Sequence, residues 1–253
     1  MKILGIETST SVGSIALIEN DILVDERRFD SPFSHAEKLL PVIDGLLKET
    51  TTALSDLTAI AVSIGPGSFT GLRIGLAMAK GLAWGAGLPL LPVSTLEAIA
   101  ASFSDEKAAV IAPMLIARKG EVYWGLFERQ GDDLIRLCPD AVSSLQEAVD
   151  QIALVVKGSG RRLRSGRRLR REETPLFFVG EGAITLKDSL LKQGGKFEDA
   201  TGLSILPVEG ELASSVARLG LTLLKNKGQK EPYEVVPLYL MPFIPTVSSS
   251  VKQ

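Results

Sequence analysis

The chain has 253 residues, enough for one large domain or two small ones, and 45% of them are hydrophobic, enough for real cores. Its 30 acidic and 28 basic side chains give a formal charge of −2, which by itself does not mark a nucleic-acid binder. The single cysteine, Cys138, excludes a disulfide framework, and no Cys/His spacing suits zinc. The start, MKILGIETS, has no charged region leading into a long apolar one. The most apolar stretch, residues 74–93, is interrupted by Lys80, Pro89, Pro92 and four glycines, too broken for a spanning helix. A cytoplasmic chain with no membrane segment is the expectation.

In chain order, residues 3–6, 12–18 and 22–29 read as three strands of an antiparallel meander, with turns at 8–11 and 19–21. Ser34 and Glu37 form an S-x-x-E capping box for a helix that carries Leu39, Leu40, Val42, Ile43, Leu46 and Leu47 at helical spacing. Pro41 inside it calls for a kink or a late start. A strand at 57–64, a helix from 70 to about 85 and a strand at 88–91 follow. Ser94, with Glu97 three residues on, caps a helix to about 102. The second half repeats this order: strands at 110–117, 121–127 and 133–137, a helix at 143–152, a strand at 176–179, a helix at 183–193, a short strand at 204–206 and a helix at 211–227. The tail is expected to be loose after Tyr239.

Two β-β-β-α-β-α-β-α halves predict a duplicated α/β chain, divided at 1–103 and 104–245 with a tail at 246–253. That order is similar to the ribonuclease H-like fold of actin, sugar kinases and Hsp70. There the first turn of each half handles phosphate, so Glu7, Thr8, Ser9, Thr10 and Ser11 are candidate nucleotide-binding residues, with an ordinary hydroxyl-rich hairpin as the alternative. Gly180 and Gly182 are candidates for the approach of a nucleotide base, or form a plain strand-to-helix turn.

The segment SIGPGSFTGLRIG, residues 63–75, tests as neither of the common phosphate loops. Gly71 is followed by Leu72-Arg73 where a Walker A loop needs Lys and Ser/Thr. Gly65, Gly67 and Gly71 are one residue too widely spaced for a dinucleotide fingerprint, and the next acid is Glu97. A strand, a glycine turn and a helix remain, with Thr70 or Ser68 as the cap. Gly71, Gly75 and Ala79 then share one helix face, and interior glycine costs about 1 kcal/mol against alanine. Another backbone must come close, either the chain's own or a second protein's. If it is a second protein's, changing Gly75 to a bulky residue should abolish pairing and leave the fold intact.

The segments MKILGIETSTSVGSIAL, HAEKLLPVI, GPGSFTGLRIGLAMAKGLA, LPVSTLEAIA, KGEVYWGLF and VVPLYL resemble the bacterial TsaB (YeaZ) family along nearly the whole chain. The resemblance implies an actin-like fold and a part in making threonylcarbamoyladenosine in tRNAs that read ANN codons. It implies a non-catalytic subunit that binds and activates a related TsaD-type catalytic subunit, alongside a TsaE-type ATPase. It also implies a helix bundle between the partners, and a homodimer through the same surface. His35, Leu39, Leu40, Ile43, Leu46, Leu47, Gly71, Arg73, Gly75, Met78 and Ala79 are the interface candidates. No intrinsic cofactor is expected, with ATP or ADP admitted at the subunit interface. The catalytic relative has two metal-binding histidines where this chain has Thr95 and Ile99, so neither a metal site nor a catalytic residue is expected. Family members often carry Asp where Ile116 stands, and many have Asp in place of Glu7. No H-E-x-x-H occurs, which excludes a zinc peptidase of that type. The competing reading is an independent actin-like ATPase or phosphotransferase built on Glu7 and the turn after it.

Residues 157–171 hold eight Lys/Arg, contain GRRLR twice, and leave all 30 acids to the rest of the chain. A solvated, self-repelling loop is one reading. The other is an indirect tRNA contact through Arg161, Arg162, Arg164, Arg167 and Arg168. Six to ten phosphate contacts would weaken binding roughly a thousandfold or more between low and moderate salt.

Overall fold

A computed structural model describes residues 1–30, 35–103, 108–118, 120–158, 175–185, 187–192, 203–208 and 211–241. The first half runs β1 (Lys2–Glu7), β2 (Val12–Glu19), β3 (Ile22–Asp30), α1 (His35–Glu49), β4 (Ala59–Gly65), α2 (Phe69–Ala86), β5 (Leu90–Ser94) and α3 (Thr95–Ser102). The second runs β6 (Ala108–Arg118), β7 (Glu121–Gln130), β8 (Asp133–Ser144), α4 (Leu145–Gly158), β9 (Leu176–Val179), α5 (Glu181–Thr185), α6 (Lys187–Lys192), β10 (Leu203–Leu206) and α7 (Ala213–Lys225). The sheets are ordered β3-β2-β1-β4-β5 and β8-β7-β6-β9-β10. In each, an antiparallel meander is followed by two parallel strands. The expected duplicated α/β fold is therefore present.

The alternation of apolar residues along β1 explains why this sheet is covered on both faces. Leu4 and Ile6 join Leu39, Ile43 and Leu46 of α1 and Leu76, Ala79 and Ala83 of α2 in one core. Ile3 points the other way, into a core with Val216, Ala217 and Leu221 of α7. The second sheet is packed by α4 through Ala148, Val149 and Ile152, and by α3 through Leu96, Ile99 and Phe103. The last helix of each half thus crosses to the other half's sheet, which the division at residue 103 does not convey. α7 lies very close to β1 because Gly5 offers no Cβ, where one would overlap the Ala213 carbonyl oxygen.

Several boundaries differ from the sequence reading, each for a local reason. β4 starts at Ala59, because a 3-10 turn at Leu54–Asp56 precedes it. β5 starts at Leu90, because Gly87 ends α2 in the left-handed conformation, with φ 65°. The cap of α2 is Ser68, whose hydroxyl accepts from Gly71 N at 3.2 Å, and Thr70 lies inside the helix. β8 runs on to Ser144; it sits at the sheet edge, where Pro139 removes no ladder bond inside the sheet. The helix expected at 183–193 is two short ones, α5 and α6. Pro41 does not interrupt α1. The segment after α7 returns to the first half: Val235 is buried and Leu238 N donates to Ile64 O at 2.7 Å. Ser34 of the capping box, the insert arginines and the 246–253 tail lie outside the described residues.

Replacing Gly5 with valine is expected to destabilise the fold by about 1–3 kcal/mol through overpacking under α7. Urea unfolding should show a lower midpoint at unchanged slope; an unchanged midpoint would refute the close-packing account.

Candidate functional site

The glycine segment closes over the turn that follows β1. A Cβ on Gly71 would overlap the Thr8 carbonyl oxygen, one on Gly75 the Thr8 hydroxyl, and one on Gly67 the Ser9 carbonyl oxygen. In return Thr8 Oγ1 donates to Gly71 O at 2.8 Å, and Ser68 N donates to Ser9 O at 2.7 Å. The backbone these glycines admit is therefore the chain's own. Substitution at Gly75 strikes the chain's own packing, so it does not isolate an effect on pairing.

Under that clasp sits Glu7, with no exposed surface. Its Oε1 accepts from Ser9 N at 2.5 Å and from the Ser9 hydroxyl, with Ser63 Oγ at 3.5 Å; Thr10 Oγ1 reaches Oε2 at 3.0 Å. Ser9 Oγ lies 2.8 Å from Thr95 Oγ1, which ties the start of α3 to the same cluster. Burial pushes the Glu7 carboxyl above its ordinary range, and the bonds from Ser9 and Thr10 only partly offset this. The hydroxyls of Thr8 and Ser9 are buried with it and committed to protein acceptors.

Beyond the clasp, a cleft of about 420 Å³ opens between the halves, with Thr10, Ser11, Leu115, Glu181, Ile184 and Glu211 among its lining. Ser11 is exposed and its hydroxyl is 3.5 Å from Glu181 Oε2. Of the nucleotide-binding candidates, only Thr10 and Ser11 line this cleft. Gly180 and Gly182 press α5 against β6, where a Cβ on either would meet the Met114–Leu115 backbone.

Where the catalytic relative is expected to place histidines, Thr95 is buried beside Ser9, and Ile99 is fully buried with Phe103, Ile111 and Phe127. Among the described residues no three His, Cys, Asp or Glu side chains gather as a metal set. Among them, too, no helix is long and apolar enough to cross a membrane.

The interface candidates on α1 and α2 divide by burial. Leu39, Ile43, Leu46, Gly71, Gly75 and Ala79 face inward, Leu47 and Met78 are half-buried, and Leu40 and Arg73 are exposed. The Arg73 guanidinium lies 3.7 Å over the Phe69 ring and donates to Tyr239 Oη at 3.1 Å. His35 is the first residue of α1. Missing from the candidates are Ala77, Gly81, Trp84 and Gly85 on the outer face of α2. All are exposed, Trp84 by 73%, and a Cβ added at Gly81 or Gly85 would meet nothing. Their four- and three-residue spacing was the signal, half a turn away from the Gly71–Gly75–Ala79 face.

Two sheets of one order, each with helices on both faces, make this a duplicated α/β protein of the actin-like class. The family model "TsaD: tRNA N6-adenosine threonylcarbamoyltransferase" matches residues 32–231. The "tRNA threonylcarbamoyladenosine biosynthesis protein TsaB" of Bacillus subtilis is 31% identical over 244 residues, covering 95% of this chain and 94% of that protein. The Escherichia coli protein of the same name is 42% identical over 130 residues, or 51% of this chain and 56% of that protein, so this match spans little more than half its length. The solved structure of YeaZ from Pseudomonas aeruginosa superposes with a TM-score of 0.71 at 26% identity, over 94% of this chain and 99% of that one. A ROK hexokinase from Thermus thermophilus, at 11% identity and TM-score 0.53 over 89% and 100% of the chains, shares the fold alone. The chain belongs to the TsaB (YeaZ) family of actin-like proteins, within the wider family that the threonylcarbamoyltransferase model describes.

The raised Glu7 carboxyl means that the folded state holds its proton longer than the unfolded one. Its contribution to stability is greatest at acid pH and declines as pH climbs from about 4.5 through the raised value. Glu7→Gln should flatten that decline and leave the variant more stable than the parent at pH 8. Chemical unfolding of both proteins across about pH 4.5–8 checks this, and parallel profiles would refute it.

Proposed function

We propose that this protein takes part in forming threonylcarbamoyladenosine in tRNA, as the subunit that binds and activates a TsaD-type catalytic chain. The names of its relatives support the pathway. The observation that carries the subunit role is the outer face of α2. Ala77, Gly81, Trp84 and Gly85 form an exposed strip of small residues around a large aromatic. Small residues let a partner helix come close, and a single Trp supplies the kind of anchor that dominates binding energy. A TsaE-type ATPase joins the pair, and ATP or ADP binds where the subunits meet. In the absence of the catalytic chain the same strip pairs two copies of this one. By the family resemblance, Thr95 and Ile99 stand where a metal-binding catalytic chain has histidines, which supports a role that leaves the transfer to the partner.

The test is reconstitution. Modified tRNA should form when this protein, the catalytic chain and the ATPase are combined with tRNA and substrates, and fall to background when this protein is left out. Robust ATP turnover by this protein alone would favour an independent ATPase. Gly81→Glu should keep the fold, since its side chain enters open space, and weaken binding to the catalytic chain at least about tenfold, roughly 1.4 kcal/mol. Titration calorimetry with circular dichroism checks this; full affinity in a folded variant would move the interface elsewhere. Deleting residues 161–171 should reduce tRNA retention by the assembled complex and flatten its salt dependence. Unchanged retention would remove the insert from tRNA contact.

A further inference from the structure

Both ends of α3, a helix of the first half, are held by arginines of the second sheet. At its start, Ser94 caps the helix by accepting from Glu97 N at 3.3 Å, and the same hydroxyl donates to Asp140 Oδ2 at 2.6 Å. Arg136 of β8 joins the group: its Nη2 donates to Glu97 Oε2 at 2.7 Å and its Nη1 to Asp140 Oδ1. The guanidinium also lies 4.5 Å from the centre of the Phe127 ring. The Asp140 side chain is only 6% exposed, while Arg136 and Glu97 remain about a third exposed, at 31% and 34%. Gly125 makes the space: a Cβ there would lie 3.1 Å from Asp140 Oδ1 and 3.0 Å from the Phe127 ring. At the other end, Arg129 of β7 donates through Nη2 to Ala100 O at 3.1 Å and Ala101 O at 3.2 Å, carbonyls of the last turn of α3.

The reverse connection is made by α7. Its first turn donates from Ala213 N to Ser14 Oγ at 3.2 Å and from Ser214 N to Glu26 Oε1 at 2.7 Å, both on the first sheet. Opening the cleft between the halves would have to turn α3 against β7 and β8, or α7 against β1 and β2. The first motion would part Arg136 from Glu97, take the Ser94 hydroxyl from the Asp140 carboxylate and pull Arg129 from the Ala100 and Ala101 carbonyls, and buried polar groups left without partners cost free energy. A hinge needs a second arrangement of comparable free energy, and opening would give up these contacts together.

We infer that Arg136 and Arg129 latch the two halves into one rigid unit, so the cleft keeps a single width whether or not nucleotide is present. The latch is independent of which partner the protein serves. Spin labels at Ser55→Cys and Gln151→Cys in a Cys138→Ser background report the distance between the halves by pulsed electron resonance. The otherwise native protein should give one narrow distribution, unmoved by saturating magnesium–ATP. Arg136→Met, with its far-ultraviolet dichroism retained, should give a distribution about twofold broader. Two populations in the native protein, a shift with ATP, or a folded Arg136→Met of native width would each overturn the latch. If Arg136→Met fails to fold, Arg129→Met read in the same way decides, with broadening expected and native width fatal.

Discussion

A carboxylate sealed from water organises the first half of this protein. Glu7 ends β1 fully buried, and a buried carboxylate is tolerated only when donors surround it. The turn that follows supplies them, with Ser9 and Thr10 folding back on Glu7 and Ser63 approaching from β4. A turn wrapped inward around an acid presents its own backbone outward, and that backbone needs cover. α2 provides the cover, and glycine at 67, 71 and 75 is what lets it come down far enough. Thr95 extends the cluster to the start of α3. One buried carboxyl group thus ties together β1, β4, α2 and α3.

The second half reuses the device in shorter form. β9 leads through Gly180 into α5, and Gly182 lets that helix press on the Met114–Leu115 backbone of β6, as α2 presses on the end of β1. Among the described residues no buried acid sits beneath it, and the helix has only five residues. The two halves are therefore alike in topology and unlike in chemistry, with the long, clasped helix reserved for the first.

This inequality bears on function. Because α2 spends one face on Thr8 and Ser9, its opposite face is left to solvent, with Trp84, Gly81 and Gly85 along it. An exposed tryptophan between glycines is poor economy for a free surface and good geometry for a helix partner. Near the same helix, Tyr239 and Phe69 embrace Arg73, so the C-terminal segment helps hold the start of α2 in place. The cleft between the halves is lined partly by charges of both signs, Glu181 and Glu211 against Arg28.

Local pattern was enough for much of this. The meanders, the paired β-β-β-α-β-α-β-α order, the Ser94 cap and the demand of Gly71 and Gly75 for a close neighbour were all legible from period, spacing and the cost of interior glycine. So was the family, through segments such as GPGSFTGLRIG. Sequence alone left open which backbone those glycines would meet, because a small face has the same periodicity whether it serves its own chain or another. Tertiary structure chose Thr8 and Ser9, and left Gly81 and Trp84, half a turn away, exposed. It also decided that α3 and α7 each cross to the opposite sheet, and that Arg136 finds Glu97 and Asp140. Those partners lie 39 and 4 residues away along the chain, and only the folding of two sheets around shared helices brings all three together.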